Sequence, residues 1–506
     1  MKKNPHLAAT AKGRSILVLG CGYGLWLLAT AGPVLASEYE VVAAAKAQND
    51  AAVATLIAAG ADVNAPQPDG ATALHWAAYW DAPETASRLL TAGADVNAVN
   101  DYGVTPLGLA CDNASASMVV RLLDAGADPN LARSTGETPL MNCARTGSAA
   151  AIEALLTQGA NPNAAESVRN QTALMWAASE EHTGVARLLL EAGADVGART
   201  TTGYTALLIA ARSDAPALAG LLLDAGADVN DLAPDGMTPL LVATVRGHAD
   251  LAITLLERGA DPNASAGYTA LHFAAGSWHT ELTGQLRGIE TDGDEEWRSM
   301  NEVKVGKLRL VEALLAHGAD VNARLVTPPP QFGYASGRFR VSLVGATPFL
   351  LAAMDADVDV MRALAAAGAD TDAATDEFTT PVMAAAGLGQ VPAETQVTPE
   401  EALAAVRAAL ELGADVNQVN HEGRTALHGA AHIRADAIVQ VLVDHGADIN
   451  VADQRGVTPL MIAEGGGHIL LPGLGGGSTA DLLIALGATR TADSESTEIY
   501  SQGKIR

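Results

Sequence analysis

The sequence predicts an all-α solenoid of stacked helix pairs, with about 11 full repeats after an N-terminal capping half-repeat. A heptad of the form T-[PA]-[LVF]-x-x-A-x, or a close relative, recurs mostly every 33 residues. A second mark, G-A-[DN]-x-[ND], follows 21 residues after most of the threonines, as at Gly93. Two marks at fixed phase indicate an internal repeat rather than separate globular domains. The heptads begin at Thr72, Thr105, Thr138, Thr172, Thr205, Thr238, Thr269, Thr347, Thr380, Thr425 and Thr458.

The first full copy shows how each repeat is built. Asp69 and Gly70 form a tight-turn signal, because glycine tolerates positive φ. Thr72 is placed to cap a helix, since its hydroxyl can accept a free N–H of the first turn. Proline follows the threonine in six copies, where a missing N–H costs nothing. A second helix is predicted from about Pro83 to Leu90, and Gly93 suits the left-handed position that ends it.

The same copy predicts which side chains face inward and which serve the loop. Leu74, Ala77 and Ala78 share one face of the first helix, where the small alanines let neighbouring helices approach closely. Asp95 and Asn97 follow the second helix, and their side chains can hydrogen-bond the exposed loop backbone. Each repeat therefore supplies its own core stripe and its own loop ties.

The boundaries of the array follow from the same marks. Residues 38–65 read as a half-repeat, with a helical apolar stripe that ends in G-A-D-V-N. A terminal cap is needed because the first full repeat would otherwise expose an apolar face. We therefore assign the repeat domain to residues 37–490 and a polar C-terminal tail to residues 491–506.

A tight turn, a T-P-L-H-x-A-A helix, a second helix and a G-A-D-V-N loop at 33-residue spacing resemble ankyrin repeats. The resemblance covers about residues 38–490 and rests on eleven motif copies. It implies antiparallel helix pairs with β-hairpin fingers projecting from one edge, so that fingers and first helices line a concave groove. It also implies a protein partner and no catalysis. Together with the leader described next, the chain resembles exported bacterial ankyrin repeat proteins.

Residues 1–36 read as a secretory signal peptide. A basic start is followed by an apolar run over 16–30 and by Val34-Leu35-Ala36, a small-residue site that predicts cleavage after Ala36. The leader therefore predicts that the protein is exported, to the periplasm or out of the cell. Two alternatives stay open: lipid attachment at Cys21, and an uncleaved anchor, although the run is shorter than the roughly 20 residues of a span. No other segment suggests a membrane span.

Charge restricts the partner. The chain carries a net charge of −27, and loss of the four positive charges in residues 1–36 leaves −31. Such a balance disfavours nucleic acid and anionic lipid. It favours a protein partner with a basic or neutral face, and we expect a monomer.

Cys111 and Cys143 occupy adjacent repeats, at motif positions seven and six. Export makes a disulfide chemically possible. The preferred interpretation is two small buried side chains, because cysteine packs as a small apolar residue.

The spacing breaks in four places, and insertions in a solenoid map to surface loops that often form the binding face. The distance from Thr269 to Gly318 is 49 residues instead of 21, and that from Gly318 to Thr347 is 29 instead of 12. Two large insertions therefore lie next to each other. The predicted insertions are near 276–305, 325–343, 387–400 and 465–477.

The insertion at 325–343 is aromatic and basic in a chain that is neither. Aromatic residues and arginine dominate binding hot spots, so the sequence predicts a partner-binding finger. Its candidate contact residues are Phe332, Tyr334, Arg338, Phe339 and Arg340. The alternative is that these aromatics only cover the stack locally. The insertion near 276–305 carries the acidic run 292–296, which reads as a solvated loop rather than a metal or partner site.

The groove supplies a second set of candidates, at finger tips and after each Ala-Ala pair. The expected exposed contact residues are Trp80, Tyr102, Arg145, Tyr204, Tyr268 and Trp278. Trp76, Trp176 and Phe273 sit at the fifth motif position and are expected in the core.

No motif predicts chemistry, so we expect no enzyme, no cofactor and no metal. His428 and His432 have i, i+4 spacing but lack the glutamate of a zinc protease helix, and His428 fills an ordinary motif position. The run 355–359 resembles the start of a calcium loop without its glycine. The glycine-rich stretch 465–477 follows a helix, which argues against a phosphate loop. The expected function is a protein-binding scaffold; the alternatives are an accessory subunit of a periplasmic complex and, less favoured, an enzyme or metal site in the insertions.

Overall fold

The computed structural model describes residues 40–276, 304–328, 341–390, 397–465 and 478–490. The capping half-repeat consists of α1 (Glu40–Lys46) and α2 (Asp50–Ala58). The first helices of the repeats are α3 (Ala73–Tyr79), α5 (Pro106–Asp112), α7 (Pro139–Thr146), α9 (Ala173–Ser179), α11 (Ala206–Arg212), α13 (Pro239–Val245), α15 (Ala270–Ala275), α17 (Pro348–Met354), α19 (Pro381–Ala385), α21 (Ala426–His432) and α23 (Pro459–Ala463). The second helices are α4 (Pro83–Thr91), α6 (Ala116–Asp124), α8 (Ala149–Thr157), α10 (Thr183–Glu191), α12 (Pro216–Asp224), α14 (Ala249–Glu257), α16 (Lys304–Ala316), α18 (Val358–Ala366), α20 (Pro399–Glu411), α22 (Asp436–Asp444) and α24 (Ser478–Ala485). The all-α prediction is confirmed.

The helix ends form where the sequence places them. The backbone N–H of Gly108 donates to the Thr105 hydroxyl at 3.0 Å, as an N-cap requires. Gly93 lies past the end of α4 with φ +87°, a conformation that side chains rarely adopt. These local signals repeat along the first helices, whereas several second helices, such as α4 and α8, begin without a side-chain cap.

The core is a continuous stripe between the two layers of helices. Leu74, Ala77 and Ala78 are at most 1% exposed, and their counterparts in later repeats are buried in the same way. Each first helix packs on its own second helix and on the first helices of both neighbours. Because every repeat buries its apolar face against the next, stability grows by stacking.

The fingers differ from the expected β-hairpins. Within the described ranges no strand forms, and the backbone pairing is limited to an isolated antiparallel bridge between Ala165 and Thr172. Most of the described fingers are tight turns closed by a bond such as Asn100 N–H to Val104 O, at 3.1 Å. The N–H of Asp101 then reaches the carbonyl of Asp69 in the preceding finger, at 2.9 Å. A turn that closes within five residues leaves too few paired residues for a ladder.

Asparagine side chains connect the loops that follow the second helices, each one to the loop of the next repeat. The Nδ2 of Asn64 donates to the carbonyl of Gly93 at 2.9 Å, and its Oδ1 accepts the N–H of Asp95 at 2.6 Å. The sequence predicted ties to the loop backbone, and the structure shows that they cross to the next repeat. The members of this asparagine ladder are Asn64, Asn97, Asn130, Asn163, Asn230, Asn263, Asn322, Asn417 and Asn450. Gly197 and Asp372 occupy the same position and interrupt it.

The inserted repeats redistribute residues between their helices. α15, α19 and α23 have six, five and five residues, whereas the other first helices have seven or eight. Conversely, α16 and α20 have 13 residues where most second helices have nine. Thr398 caps α20, and the Glu401 carboxylate accepts the Thr398 N–H at 2.9 Å. The first helix is therefore short in all three of these repeats, and in two of them the second helix is longer by about one turn, whereas α24 has eight residues.

Cys111 and Cys143 form a disulfide, so the preferred expectation of two unpaired cysteines is wrong. The bond joins α5 to α7, with Cα atoms 4.5 Å apart. Both side chains are fully buried, as expected of small apolar residues. Motif positions seven and six of successive repeats lie on facing sides of neighbouring first helices, which a reading of one repeat at a time does not reveal.

Candidate partner-binding groove

Finger side chains contact the exposed side of the first helices, and we name the surface that they share the concave face, after the shape that the resemblance implies. The indole N–H of Trp76 in α3 donates to Oε1 of Gln67 in the preceding finger, at 3.3 Å. The guanidinium of Arg133, also from a finger, pairs with Asp112 at the end of α5. Side chains at the fifth and eighth motif positions therefore share one surface with the fingers.

We call the inner faces of α3, α5, α7, α9 and α11, with their fingers, the open groove. Its floor carries half-buried apolar side chains, among them Trp76, Leu109, Trp176 and Ile209. Trp76 and Trp176, which are expected in the core, pack against it but are only half-buried. Phe273, at the same motif position, is fully buried as expected.

Three aromatic rings form a cluster at the N-terminal end of this groove, which we call the aromatic corner. Trp76 and Trp80 are stacked with ring centroids 6.3 Å apart, and Tyr79 meets both rings edge-on, at 5.6 and 4.8 Å. Tyr79 is 43% exposed and Trp80 is 41% exposed. The Lys46 ammonium lies 4.8 Å from the Trp76 ring centroid, and its carbonyl accepts the Trp80 indole N–H at 3.2 Å. The corner is thus held rigidly while two rings stay open to solvent.

The middle of the open groove holds a charge network. The Asp112 carboxylate pairs with Arg133 and also with Arg145, whose Nη2 lies 3.1 Å from Oδ1. The Arg145 guanidinium in turn lies over the Trp176 ring, 5.9 Å from its centroid. Because each pair spans neighbouring repeats, the network fixes the position of the arginines on the groove surface.

The concave face is covered by the chain itself further along. Helix α19 ends at Ala385, and residues 386–390 then lie across the neighbouring first helices. Leu388 in this segment is 1% exposed. The Gln390 side chain donates to the Met354 carbonyl at 3.3 Å, and the Gln390 carbonyl pairs with Nε2 of His432 at 3.3 Å. We call residues 386–390 the strap. It contacts α17 on one side and α21 on the other, so the protein's own chain covers this part of the concave face.

The candidate contact residues from the sequence fall into four groups, of which buried Tyr268 is the last. Trp80, Tyr102 and Arg145 are exposed on the groove side, with Tyr102 the most open at 69%. Tyr204 is half-buried, and its hydroxyl faces Asp235 of the next finger at 3.4 Å. The remaining candidates that lie outside the described residues are Trp278, Phe332, Tyr334, Arg338, Phe339 and Arg340.

Tyr268 is buried, so the expectation of an exposed contact residue is wrong. Its side chain is 5% exposed, and its ring packs 6.3 Å from Phe273. Burial, with smaller contributions from Asp235 and Tyr204, raises the pKa of Tyr268 to about 12. Ala71, Met237 and Ala346 also stand directly before a motif threonine and are buried, whereas Tyr204 at the same position is half-buried. Burial at this position therefore depends on the neighbouring fingers.

Sequence reasoning missed Tyr79, Lys46 and the strap. Tyr79 and Trp80 are adjacent, and two aromatics in a chain with 4% aromatic residues were a signal for the corner. The Lys46 contact and the strap involve other repeats, and no local pattern marks them.

The residues considered for metals have other roles. Thr425 N–H donates to Nδ1 of His428 at 3.1 Å, and Nε2 pairs with the Val457 carbonyl at 3.1 Å. Burial lowers the pKa of His428 to about 4, despite the opposing Val457 contact. The Lys307 ammonium lies 3.3 Å from Asp357, in the run that resembles a calcium loop. Across the described ranges, no group of three or more metal-ligating side chains comes together.

The described residues include no helix with the length and apolarity of a membrane span. The helix pairs and the fingers, repeated along the chain, define a repeat protein. The family description "Ankyrin repeats (3 copies)" matches residues 41–133, 113–200, 140–233, 207–294 and 397–471, which together span more than half of the chain. The chain therefore belongs to the ankyrin repeat family. Ankyrin repeats are protein-interaction modules, and the fold is typically a non-enzymatic scaffold.

Three relatives illustrate how short the curated matches are. The Putative ankyrin repeat protein YahD of Escherichia coli (strain K12) is 40% identical over 58 residues, which is 12% of this chain and 29% of that protein. Regulatory protein NPR6 of Arabidopsis thaliana is 52% identical over 59 residues, 11% of this chain and 13% of the relative. Potassium channel AKT1 of Oryza sativa subsp. japonica is 41% identical over 59 residues, which is 12% of this chain and 6% of that protein. The chain thus spans a minor part of these relatives.

Among solved structures, the human ASB11 ankyrin repeat domain is similar to this chain. It is 29% identical and covers 44% of this chain and 98% of its own, with a TM-score of 0.40.

Proposed function

We propose that this protein is an exported scaffold that binds a protein partner in the open groove, with the finger insertion at 325–343 completing the contact. The observation that carries the proposal is the contrast along the concave face. The strap covers the face between α17 and α21, whereas Trp80, Tyr102 and Arg145 stay exposed between α3 and α11. A recognition surface must be exposed, and among the described residues this face is exposed between α3 and α11 and covered between α17 and α21.

Rigidity supports the same function. The groove side chains are held by contacts that cross repeats, such as the Asp112–Arg145 pair and the indole bond from Trp80 to Lys46. A surface that is already ordered loses little conformational entropy on binding. The disulfide between Cys111 and Cys143 joins α5 and α7, the helices that carry Asp112 and Arg145, and adds a covalent tie.

Export is supported by two features. The leader at 1–36 has the basic, apolar and small-residue order of a cleavable signal. The disulfide suits an oxidising compartment, because cytosolic thiols are kept reduced. A monomeric state stays a prediction.

The test is an affinity capture from periplasmic extract with three baits: the native protein, a double variant Tyr102→Ala with Arg145→Ala, and a variant in which a short Gly-Ser linker replaces 329–340. The replacement keeps Leu325 and Leu343, which are 1% and 8% exposed and belong to the stack. We expect a captured protein that the double variant loses and the linker variant retains more weakly. Capture that is equal on all three baits would contradict the proposal. Stoichiometric co-purification of the native protein with a fixed complex would instead indicate an accessory subunit.

A further inference from the structure

Two cations of the protein itself lie over tryptophan rings of the groove, and this arrangement indicates the chemistry of the partner. Lys46 covers the Trp76 ring, and Arg145 covers the Trp176 ring. Each cation lies within the roughly 6 Å at which an ammonium or guanidinium is attracted to an aromatic face. Two tryptophans of the groove therefore already hold cations supplied by neighbouring repeats.

The remaining rings of the corner have no such cover. In the described parts of the chain no cation lies over Tyr79 or Trp80, although both are more than two-fifths exposed. Their mutual contact, at 4.8 Å and edge-on, leaves ring surface facing solvent. An exposed pair of electron-rich faces, fixed in place by Trp76, can accept a cation from outside.

Exposed carboxylates occur on the same side of the repeats as these rings, one beside Trp80 in the sequence and two further along the groove. Asp81 directly follows Trp80 and is exposed, and Glu180 and Glu181 take the matching place three repeats further along. Within the described residues none of the three forms an ion pair, in contrast to Asp112, which holds two arginines. The excess of negative charge on the whole chain, −27, acts in the same direction.

We infer that the aromatic corner binds an arginine- or lysine-bearing extended segment of the protein partner. One cation of that segment stacks on the open faces of Tyr79 and Trp80 beside the Asp81 carboxylate. A second cation further along the segment faces Glu180 and Glu181. The inference rests on the proposed function, because it names the chemistry of the same groove's partner.

The test begins with a random peptide library displayed on phage and selected on the purified native protein. The enriched peptides are then synthesised with a fluorescent label, and their affinities are measured by polarisation for the native protein and its variants. We expect enrichment of arginine and lysine. Tyr79→Ala and Asp81→Asn should each weaken binding about tenfold, as expected for loss of a cation–π contact or a charge-assisted pair.

The variants are chosen so that folding does not obscure the result. Asp81 has φ +51°, a left-handed conformation that asparagine also tolerates, so Asp81→Asn removes the charge alone. Phe378 is a finger aromatic, 60% exposed and distant in the stack, and Phe378→Ala is the matched control that should leave affinity unchanged.

The other outcomes separate the two proposals. Enriched peptides that are acidic or uncharged, but that Tyr79→Ala weakens, would overturn this inference and leave the groove as a binding site. Basic peptides whose affinity is indifferent to Tyr79→Ala and Asp81→Asn would also overturn it. If no peptide binds in the groove while protein capture still depends on Tyr102 and Arg145, this inference fails and the proposed function stands.

Discussion

Asn163 and Gly193 are joined across two repeats: the Nδ2 of Asn163 donates to the Gly193 carbonyl at 3.0 Å. Its Oδ1 accepts the N–H of Asp195 at 2.7 Å. One side chain thus satisfies a helix-end carbonyl and a loop N–H of the following repeat, groups that the helices themselves leave unpaired. Because the same pair of bonds recurs along the stack, the contact between neighbouring repeats lacks both bonds where the asparagine is missing. We call these positions weak joints.

Gly197 is the first weak joint, and Gly197→Asn should stabilise the protein. Its N–H already bonds to Asp195 at 2.9 Å, as asparagines of the ladder do, and a Cβ there would meet only ordinary contacts. The new side chain can reach the Gly226 carbonyl and the Asp228 N–H. Two solvent-exposed hydrogen bonds should add about 1 kcal/mol to the free energy of unfolding.

Urea denaturation of three proteins checks this prediction. Gly197→Ala removes backbone freedom from the unfolded chain without adding a ladder bond, so it measures that contribution alone. The prediction requires Gly197→Asn to exceed Gly197→Ala in stability. Equal midpoints for the two variants would show that the ladder bonds contribute nothing at this joint.

Asp372 is the second weak joint and should give a pH-dependent result. One of its carboxylate oxygens accepts from Gln418 at 2.8 Å, and the other is buried without a hydrogen-bond partner. Burial, with repulsion from Asp370 and Asp415, raises the pKa of Asp372. The folded state therefore favours the protonated acid, and the stability that this proton gives is lost as pH rises through the folded pKa.

Asp372→Asn should consequently raise stability at pH 7 and much less near pH 3, where the native carboxyl is protonated. The amide also gains a donor that can reach the Gly413 carbonyl, as the ladder asparagines do. Thermal unfolding of both proteins across this pH range is the measurement. A gain that is independent of pH would indicate a new hydrogen bond without relief of the buried charge.

His272 and His428 should make the fold sensitive to acid. Burial lowers the pKa of each to about 4, despite hydrogen bonds to the Ala323 and Val457 carbonyls respectively. The unfolded chain binds protons more strongly, so stability is lost as pH falls from the ordinary value of 6.5 towards 4. A pKa difference of this size corresponds to about 3 kcal/mol per histidine at full effect.

Methionine stands at the same motif position in other repeats, as at Met141 and Met175, and both are 1% exposed. His272→Met and His428→Met should therefore keep the fold and remove the acid-dependent loss. His317→Gln, at an exposed histidine, is the control. Unfolding free energies at pH 7 and pH 4.5 are compared, and a histidine variant that loses as much stability as the native protein would refute the assignment.

The helix ends could be predicted from the sequence because their causes are local. Thr105 caps its helix with its own hydroxyl, and Gly93 ends one by its own backbone conformation. The groove could be predicted only in outline, since its details depend on contacts between repeats. Tyr268 was misplaced because its burial comes from Met237 in the preceding finger, and Cys143 because its partner lies on a neighbouring helix.

The disulfide should contribute measurably to stability. It closes a segment of 32 residues between α5 and α7, and constraint of the unfolded chain by such a bond contributes about 2–4 kcal/mol. The double variant Cys111→Ser with Cys143→Ser should lose stability by that amount. Alkylation of the unreduced, denatured protein followed by mass measurement checks the bond directly, and labelling of either cysteine of the pair would contradict it.

Gly429 tests whether the strap is seated on α21 as described. A Cβ at this helical glycine would lie 2.7 Å from the Leu388 nitrogen and 3.0 Å from the Ala386 carbonyl oxygen. Both atoms are backbone and cannot rotate away, so Gly429→Ala must displace either the strap or the helix. We expect a loss of about 1–3 kcal/mol, as for overpacking of a closed core.

Gly220 in α12 is the matched control, because a Cβ there meets nothing within 4 Å. Gly220→Ala should stabilise by about 0.5–1 kcal/mol through helix propensity alone. Limited proteolysis then shows which element yields in Gly429→Ala. Cleavage that appears at residues 386–390 while α21 stays protected means that the strap has left the concave face, and that this half of the groove is closed by a removable segment. If Gly429→Ala were as stabilising as Gly220→Ala, the strap could not lie against α21 in solution.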